Sequence, residues 1–147
     1  MDTTPATAGT VLRCGLPFRP PAAGVLTLTG WFPATAASGQ GTVSGTVEAT
    51  SRVAVQGVST PRADVFLVRN GRVATMPMPQ DSLGIRWDLA PGETKRLPGD
   101  AALVSCDAPA GGPVSPGDYQ LYARILLTPD DGAAVESFGG PWTLKVR

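Results

Sequence analysis

The 147-residue sequence contains no histidine at all. Without histidine it has no Ser-His-Asp triad, no Cys-His pair and no HExxH zinc motif. It also lacks an excess of either charge, because 12 basic and 12 acidic residues give a formal net charge of zero. A nucleic-acid-binding protein needs a basic face to displace counterions. We therefore predict a chain that is not an enzyme and that binds no nucleic acid.

Long apolar runs are also missing. No segment reaches the roughly 20 apolar residues that a membrane-spanning helix requires. The opening residues Met1–Pro5 form neither the basic nor the apolar part of a signal peptide. Two interpretations stay open: a cytoplasmic protein, or an extracytoplasmic protein whose leader is absent from this sequence.

Cysteine is scarce, with only Cys14 and Cys106. One disulfide between them would close a loop of roughly 90 residues and stabilise the fold by ~4–5 kcal/mol in the chain-entropy model. The alternative is two unrelated buried thiols. A zinc site would need two further ligands besides the cysteines. Lipid attachment at Cys14 is not indicated either, because no apolar region precedes this residue. We expect the disulfide, which favours an extracytoplasmic location, secreted or anchored to the cell envelope.

Glycine (18) and proline (15) are abundant, and apolar residues make up 42% of the chain. Glycine and proline interrupt the sequence too often for a long helix. Short alternating runs at intervals of roughly 8–12 residues are typical of a β-sandwich. We predict an all-β fold: one immunoglobulin-like antiparallel β-sandwich of about 7–9 strands over residues 11–147, after a flexible segment 1–10.

The strongest local signal is Asn70-Gly71 between two apolar runs. This pair favours a type I′ turn, because both central residues of that turn need positive φ. The hairpin is therefore predicted with its turn at these two residues. Other alternating segments predict strands, among them Val25–Phe32, Val43–Thr50, Asp118–Leu127 and Trp142–Val146.

Three turn-centred motifs follow one another in the second half of the chain: Val65–Thr75, Leu89–Glu93 and Pro116–Tyr119. Tyr119 has the position of a tyrosine corner, a structural device of sandwiches. In this order the motifs resemble bacterial immunoglobulin-like domains, in particular the intracellular proteinase inhibitor (BsuPI-like) family. The resemblance covers about residues 65–128. It implies an immunoglobulin-like fold and, as an expectation, inhibition of a proteinase.

Aromatic residues are few, which draws attention to Trp31, Trp87 and Trp142. An exposed indole could stack on a sugar ring, whereas a buried one would fill the core. Trp142 opens an alternating strand and is expected in the core, as is Trp31. Trp87 stands between two charged residues and is expected to be partly exposed.

The run Met76, Pro77, Met78 and Pro79 follows the predicted hairpin and should form a loop, because proline donates no ladder hydrogen bond. An exposed, proline-stiffened loop with adaptable methionines suits a protein contact. The alternative is a loop that lies across the open end of the sandwich. With Trp87, these residues form our candidate binding loop.

Carboxylates are scattered through the turns, as in Asp130-Asp131-Gly132, without the DxDxDG run of a calcium loop. We expect no metal and no cofactor. The preferred interpretation is a non-enzymatic secreted or cell-envelope accessory domain that recognises a protein partner, as a monomer or weak dimer. The alternatives are a proteinase inhibitor acting through Met76–Leu83, or a carbohydrate-binding module using Trp31 or Trp87.

Overall fold

The structure, a computed structural model, describes residues 12–80, 83–106 and 111–147. This part of the chain is built from strands and one short 3-10 turn, Ser38–Gln40, and contains no α-helix. It accordingly has no helix with the length and hydrophobicity that crossing a membrane requires. The all-β prediction is confirmed. The expected flexible segment 1–10 lies outside the described residues.

Ten strands form the fold. In chain order they are β1 (Leu26–Trp31), β2 (Thr35–Ala36), β3 (Thr42–Ser51), β4 (Val55–Ser59), β5 (Ala63–Arg69), β6 (Arg72–Val73), β7 (Ile85–Leu89), β8 (Thr94–Ala102), β9 (Gly117–Pro129) and β10 (Val135–Val146). Strands β2 and β6 have only two residues each. The longer strands therefore fall within the predicted seven to nine.

The strands form one curled sheet in the order β1-β3-β8-β5-β9-β10-β2, while β4 pairs with β7 and with the end of β9, and β6 pairs with β5. Most pairings are antiparallel, as predicted. Two are parallel, β2 with β10 and β5 with β8, and each joins only two residue pairs. The sheet is therefore mixed, because short parallel contacts link strands of its two halves as it curls.

The main core lies between two layers, β1-β3-β8 and β5-β9-β10. Strand β9 shows the predicted alternation, since Tyr119, Leu121, Ala123 and Ile125 are all buried. The layers approach closely where β1 meets β10. A Cβ on Gly30 would lie 2.7 Å from the Trp142 ring, so only glycine permits this approach.

The predicted hairpin turn is confirmed. Asn70 and Gly71 have φ values of 53° and 75°, and Arg69 pairs with Arg72 on either side of them. Strand β6 is short and ends at Val73. Beyond it the Ala74 N–H still donates to Leu67 O at 2.8 Å, but the Leu67 N–H donates to the Thr75 hydroxyl at 2.9 Å instead of to a backbone carbonyl.

The N-terminal segment 12–18, called the strap below, lies along β6 and was not predicted as an ordered element. Gly15 N–H donates to Val73 O at 2.9 Å, Val73 N–H donates to Leu16 O at 2.9 Å, and Phe18 N–H donates to Gly71 O at 2.9 Å. The predicted disulfide between Cys14 and Cys106 is present, with Cα atoms 5.6 Å apart.

The strap covers a second, aromatic core on the outer side of β5, β9 and β10. Phe18 packs edge-on against Phe66 and Tyr122, with ring centroids 5.0 and 4.8 Å apart, and Phe138 lies beside them. Burial raises the pKa of Tyr122. Both faces of β5 are therefore buried.

Trp87 corrects the sequence interpretation. It was expected to be partly exposed and to belong to a binding loop, but its side chain is fully buried. It lies on the inward side of β7, where its Nε1–H donates to Ser59 Oγ at 2.7 Å. The flanking charges, Arg86 and Asp88, point outward because alternate strand residues face opposite sides.

We predict that replacing the disulfide by two serines, Cys14→Ser with Cys106→Ser, lowers the free energy of unfolding by about 4–5 kcal/mol, because the unfolded chain regains its loop entropy. Urea denaturation followed by circular dichroism measures the change. Wild-type protein treated with a reductant is the matched control and should unfold at the same midpoint as the variant. An unchanged midpoint in the variant would contradict the assignment.

Trp87→Phe should destabilise the fold by about 1–3 kcal/mol, since the substitution removes a buried hydrogen bond and leaves a cavity. Trp31→Phe is the comparison and should change the free energy of unfolding by less than about 0.5 kcal/mol, as is usual at the surface. Equal effects of the two substitutions in urea denaturation would show that Trp87 is not a core residue.

Candidate functional site

The most prominent exposed side chain is Trp31, at the end of β1. It was expected in the core, but 62% of its surface is exposed. The alternation within β1 explains this, because Leu26 and Leu28 point inward while Thr27, Thr29 and Trp31 point outward. Alternation from the buried Leu26 puts the even-numbered residues of this strand on the inner side, so it would have predicted Trp31 on the outer surface.

The Trp31 indole is held by charged neighbours on the adjoining strands. Its Nε1–H donates to Glu48 Oε1 at 2.8 Å. The same carboxylate pairs with Arg96, whose Nη2 lies 3.5 Å from Oε1. The strand register creates this contact, since Thr46 lies opposite Trp31 and Arg96 lies opposite Glu48. We call Trp31, Thr46, Glu48 and Arg96 the Trp31 face.

The Trp31 face lines a shallow depression of about 320 Å³. Around it the outward side of β1, β3 and β8 is rich in hydroxyl groups, with Thr27, Thr29, Thr50 and Thr94 exposed or half-buried. The surface therefore combines one aromatic plane, a neutralised ion pair and several hydroxyls. This is an arrangement for hydrogen-bonded recognition of a polar ligand that has one apolar side.

The Met76–Pro79 segment is a loop with accessible methionines, since Met76 and Met78 are 36% and 41% exposed. Gln80 fastens its end to the sheet. The Gln80 Oε1 accepts from Arg62 N–H at 3.1 Å, and Nε2 donates to Asp64 Oδ1 at 2.7 Å. Beyond Gln80, residues 81 and 82 lie outside the described part of the chain.

The candidate residues chosen from the sequence do not form one site. Trp87 is fully buried in the core, whereas Met76 and Met78 are exposed. Tyr119 has the arrangement of a tyrosine corner, since its hydroxyl donates to Ser115 O at 2.6 Å. Glu48 and Arg96 escaped the sequence interpretation, because their contact depends on the register between β3 and β8.

Acidic side chains do not assemble into a metal site in the described part of the chain, where no group of three or more potential ligands is found. Asp130, from the turn considered for calcium, forms a two-point ion pair with Arg86, with N–O distances of 2.6 and 2.5 Å. This hydrogen bonding lowers the pKa of Asp130 below its ordinary value. The group is accordingly a carboxylate at neutral pH.

No protein-family model matches the chain, and no curated protein matches it. Among solved structures it is similar to a β-glucosidase from Listeria innocua in complex with glucose, with 14% identity and a TM-score of 0.40 over 82% of this chain. It is also similar to a mutant of that enzyme in complex with laminaribiose, with 13% identity and a TM-score of 0.41 over 83% of this chain. A β-glucosidase from Erythrobacter marinus has 17% identity and a TM-score of 0.37, also over 83% of this chain. The chain covers 16% of each of these proteins. No conclusion about activity rests on likenesses this low.

Trp31 should account for most of the tryptophan fluorescence that acrylamide quenches. Trp31→Phe should remove the readily quenched component, because the indole of Trp87 is buried and that of Trp142 is only partly accessible. Stern–Volmer titration of the two proteins measures the difference. Trp87→Phe is the control and should leave that component in place, and its loss in this control would contradict the assignment.

Proposed function

We propose that this chain is a non-enzymatic binding domain that works outside the cytoplasm and recognises a glycan through the Trp31 face. The observation that supports it most directly is the exposed Trp31 indole, fixed by its hydrogen bond to Glu48. The extracytoplasmic location is supported by the Cys14–Cys106 disulfide, since such bonds persist in oxidising compartments. The non-enzymatic role is part of the proposal, and a sequence without histidine is consistent with it because the Ser-His-Asp, Cys-His and HExxH schemes all need histidine.

The chemistry of the Trp31 face suits a sugar. The C–H side of a pyranose ring is apolar and packs on an aromatic plane, while its hydroxyls need donors and acceptors around the rim. Glu48 accepts hydrogen bonds, Arg96 donates them, and Thr46 does either. Because Trp31 is already oriented by Glu48, little side-chain freedom is lost on binding.

The charges on this face point to a neutral glycan. Glu48 and Arg96 form an ion pair, so the two groups next to the indole cancel each other. Neither a carboxylate-bearing nor a strongly cationic ligand would gain a net attraction here. A single aromatic plane also contacts only one sugar ring, so we expect short neutral oligosaccharides to bind as well as long ones do.

A second candidate function is the binding of a protein partner by the Met76–Pro79 loop. Inhibition of a proteinase would be one form of this function. The observation that favours it is the combination of exposed Met76 and Met78 with the anchor at Gln80. An anchored loop loses less entropy on binding than a free one. Methionine side chains adapt readily to a partner surface.

We expect Trp31→Ala to weaken binding of a neutral glycan at least tenfold, and Glu48→Ala to weaken it several-fold, because the indole then loses its hydrogen-bond acceptor and Arg96 loses its ion-pair partner. Affinity electrophoresis against a panel of soluble neutral polysaccharides identifies the ligand, and calorimetry with short oligosaccharides measures the affinity. Met78→Ala is the matched control and should bind like the wild type.

Two results would overturn the glycan proposal: no retardation by any polysaccharide, or equal retardation of wild type and Trp31→Ala. The loop hypothesis is tested separately by titration against a panel of serine proteinases. Stoichiometric inhibition that is lost in Met78→Ala and kept in Trp31→Ala would support the second candidate. Inhibition of no proteinase would remove the inhibitory form of that candidate.

A further inference from the structure

The Asn70–Gly71 hairpin places two positive charges side by side. Arg69 and Arg72 lie directly opposite each other next to the turn. Directly opposed residues of an antiparallel pair project from the same face, with Cβ atoms about 4.5–5.5 Å apart. Like charges in this position destabilise a hairpin, so their presence calls for a compensating interaction.

No such compensation comes from a carboxylate in the described part of the protein. The ion pairs found there use Arg62, Arg86, Arg96 and Arg124, and none of them involves Arg69 or Arg72. In the described part of the chain, the contacts of Arg69 and Arg72 are with neutral atoms, the Tyr119 hydroxyl and the Gly15 carbonyl. The hairpin therefore carries two positive charges that have no ion-pair partner in the described part of the chain.

Both guanidinium groups are nevertheless held in place. Arg69 Nη1 donates to Tyr119 Oη at 3.2 Å, and Arg69 Cζ lies 5.1 Å from the centroid of the Tyr119 ring. Arg72 Nη1 donates to Gly15 O of the strap at 3.0 Å. A guanidinium has five N–H donors, so one hydrogen bond orients each group and leaves it able to donate further.

The two arginines line a common cleft of about 330 Å³, which is also lined by Asn70, Ser105, Ser115 and Tyr119. Its walls come from the hairpin, from the segment next to the disulfide and from the start of β9. Amide and hydroxyl groups therefore lie in the same cleft as the two cations, next to the apolar side chains of Val73, Ala74 and Val114. A lining of this kind matches a small anion with several oxygen atoms.

We propose that this cleft binds a tetrahedral oxyanion, a phosphate or sulfate group, between Arg69 and Arg72. A guanidinium donates two parallel hydrogen bonds to a pair of oxygens. Two guanidinium groups thus engage more oxygens than a planar carboxylate has, whereas a tetrahedral group has enough for both. The bound anion neutralises the like-charge pair. This site is separate from the Trp31 face and carries a second binding activity.

The test is calorimetry and thermal unfolding of the disulfide-bonded protein with inorganic phosphate and with sulfate, against sodium chloride and acetate at the same ionic strength. Phosphate or sulfate should raise the unfolding midpoint of wild type beyond chloride and acetate. Arg69→Gln and Arg72→Gln should each weaken binding at least tenfold. Arg52→Gln, an equal charge change at an exposed position, should leave binding unchanged.

Arg72→Lys separates a binding role from a purely structural one, because it keeps the charge and the possibility of a bond to Gly15 O but loses the two-point geometry. It should unfold near the wild-type midpoint and bind phosphate more weakly.

Amide chemical shifts of wild type give an independent measurement, since phosphate should move those of the hairpin and of Ser115. Equal stabilisation by chloride, or equal binding by Arg52→Gln and Arg72→Gln, would overturn the proposal. Trp31→Ala should bind phosphate normally, so this result does not depend on the glycan proposal.

Discussion

The burial of alternate side chains along β9 is the constraint on which the rest of the molecule depends. This 13-residue strand pairs with β10 over most of its length, with β5 in its middle and with β4 at its end. Its inward residues join the main core, where each large apolar side chain contributes about 1.5–3 kcal/mol on burial. Loss of this alternation would therefore disturb the packing of β4, β5 and β10 against β9 at the same time.

The outer side of the same layer is buried for a different reason. Phe66 and Tyr122 would face water if the sheet ended at β5, β9 and β10, but the strap brings Phe18 over them. The strap is fixed at one end by the disulfide and along its length by hydrogen bonds to β6 and the turn. A covalent bond and a hairpin together thus maintain an aromatic cluster that alternation alone would leave exposed.

The sequence predicted those features that depend on local pattern. The Asn70-Gly71 turn, the inward face of β9 and the all-β class follow from φ preferences and period-two alternation. The pairing of Cys14 with Cys106 followed from there being only two cysteines. Features that depend on register did not follow, because the contacts of Glu48 with Trp31 and Arg96 join three strands whose alignment no local signal sets. Trp87 was misjudged because its charged neighbours were given more weight than its own position in the alternation.

The strap also makes the domain one-sided. The layer of β5, β9 and β10 has its outer surface covered by the chain itself, while the outer surface of β1, β3 and β8 is bare and presents Trp31 among threonines. The exposed indole, its ion pair and the row of hydroxyls therefore all lie on one broad side of the domain. A ligand bound to them would leave the strap and its aromatic cluster on the far side.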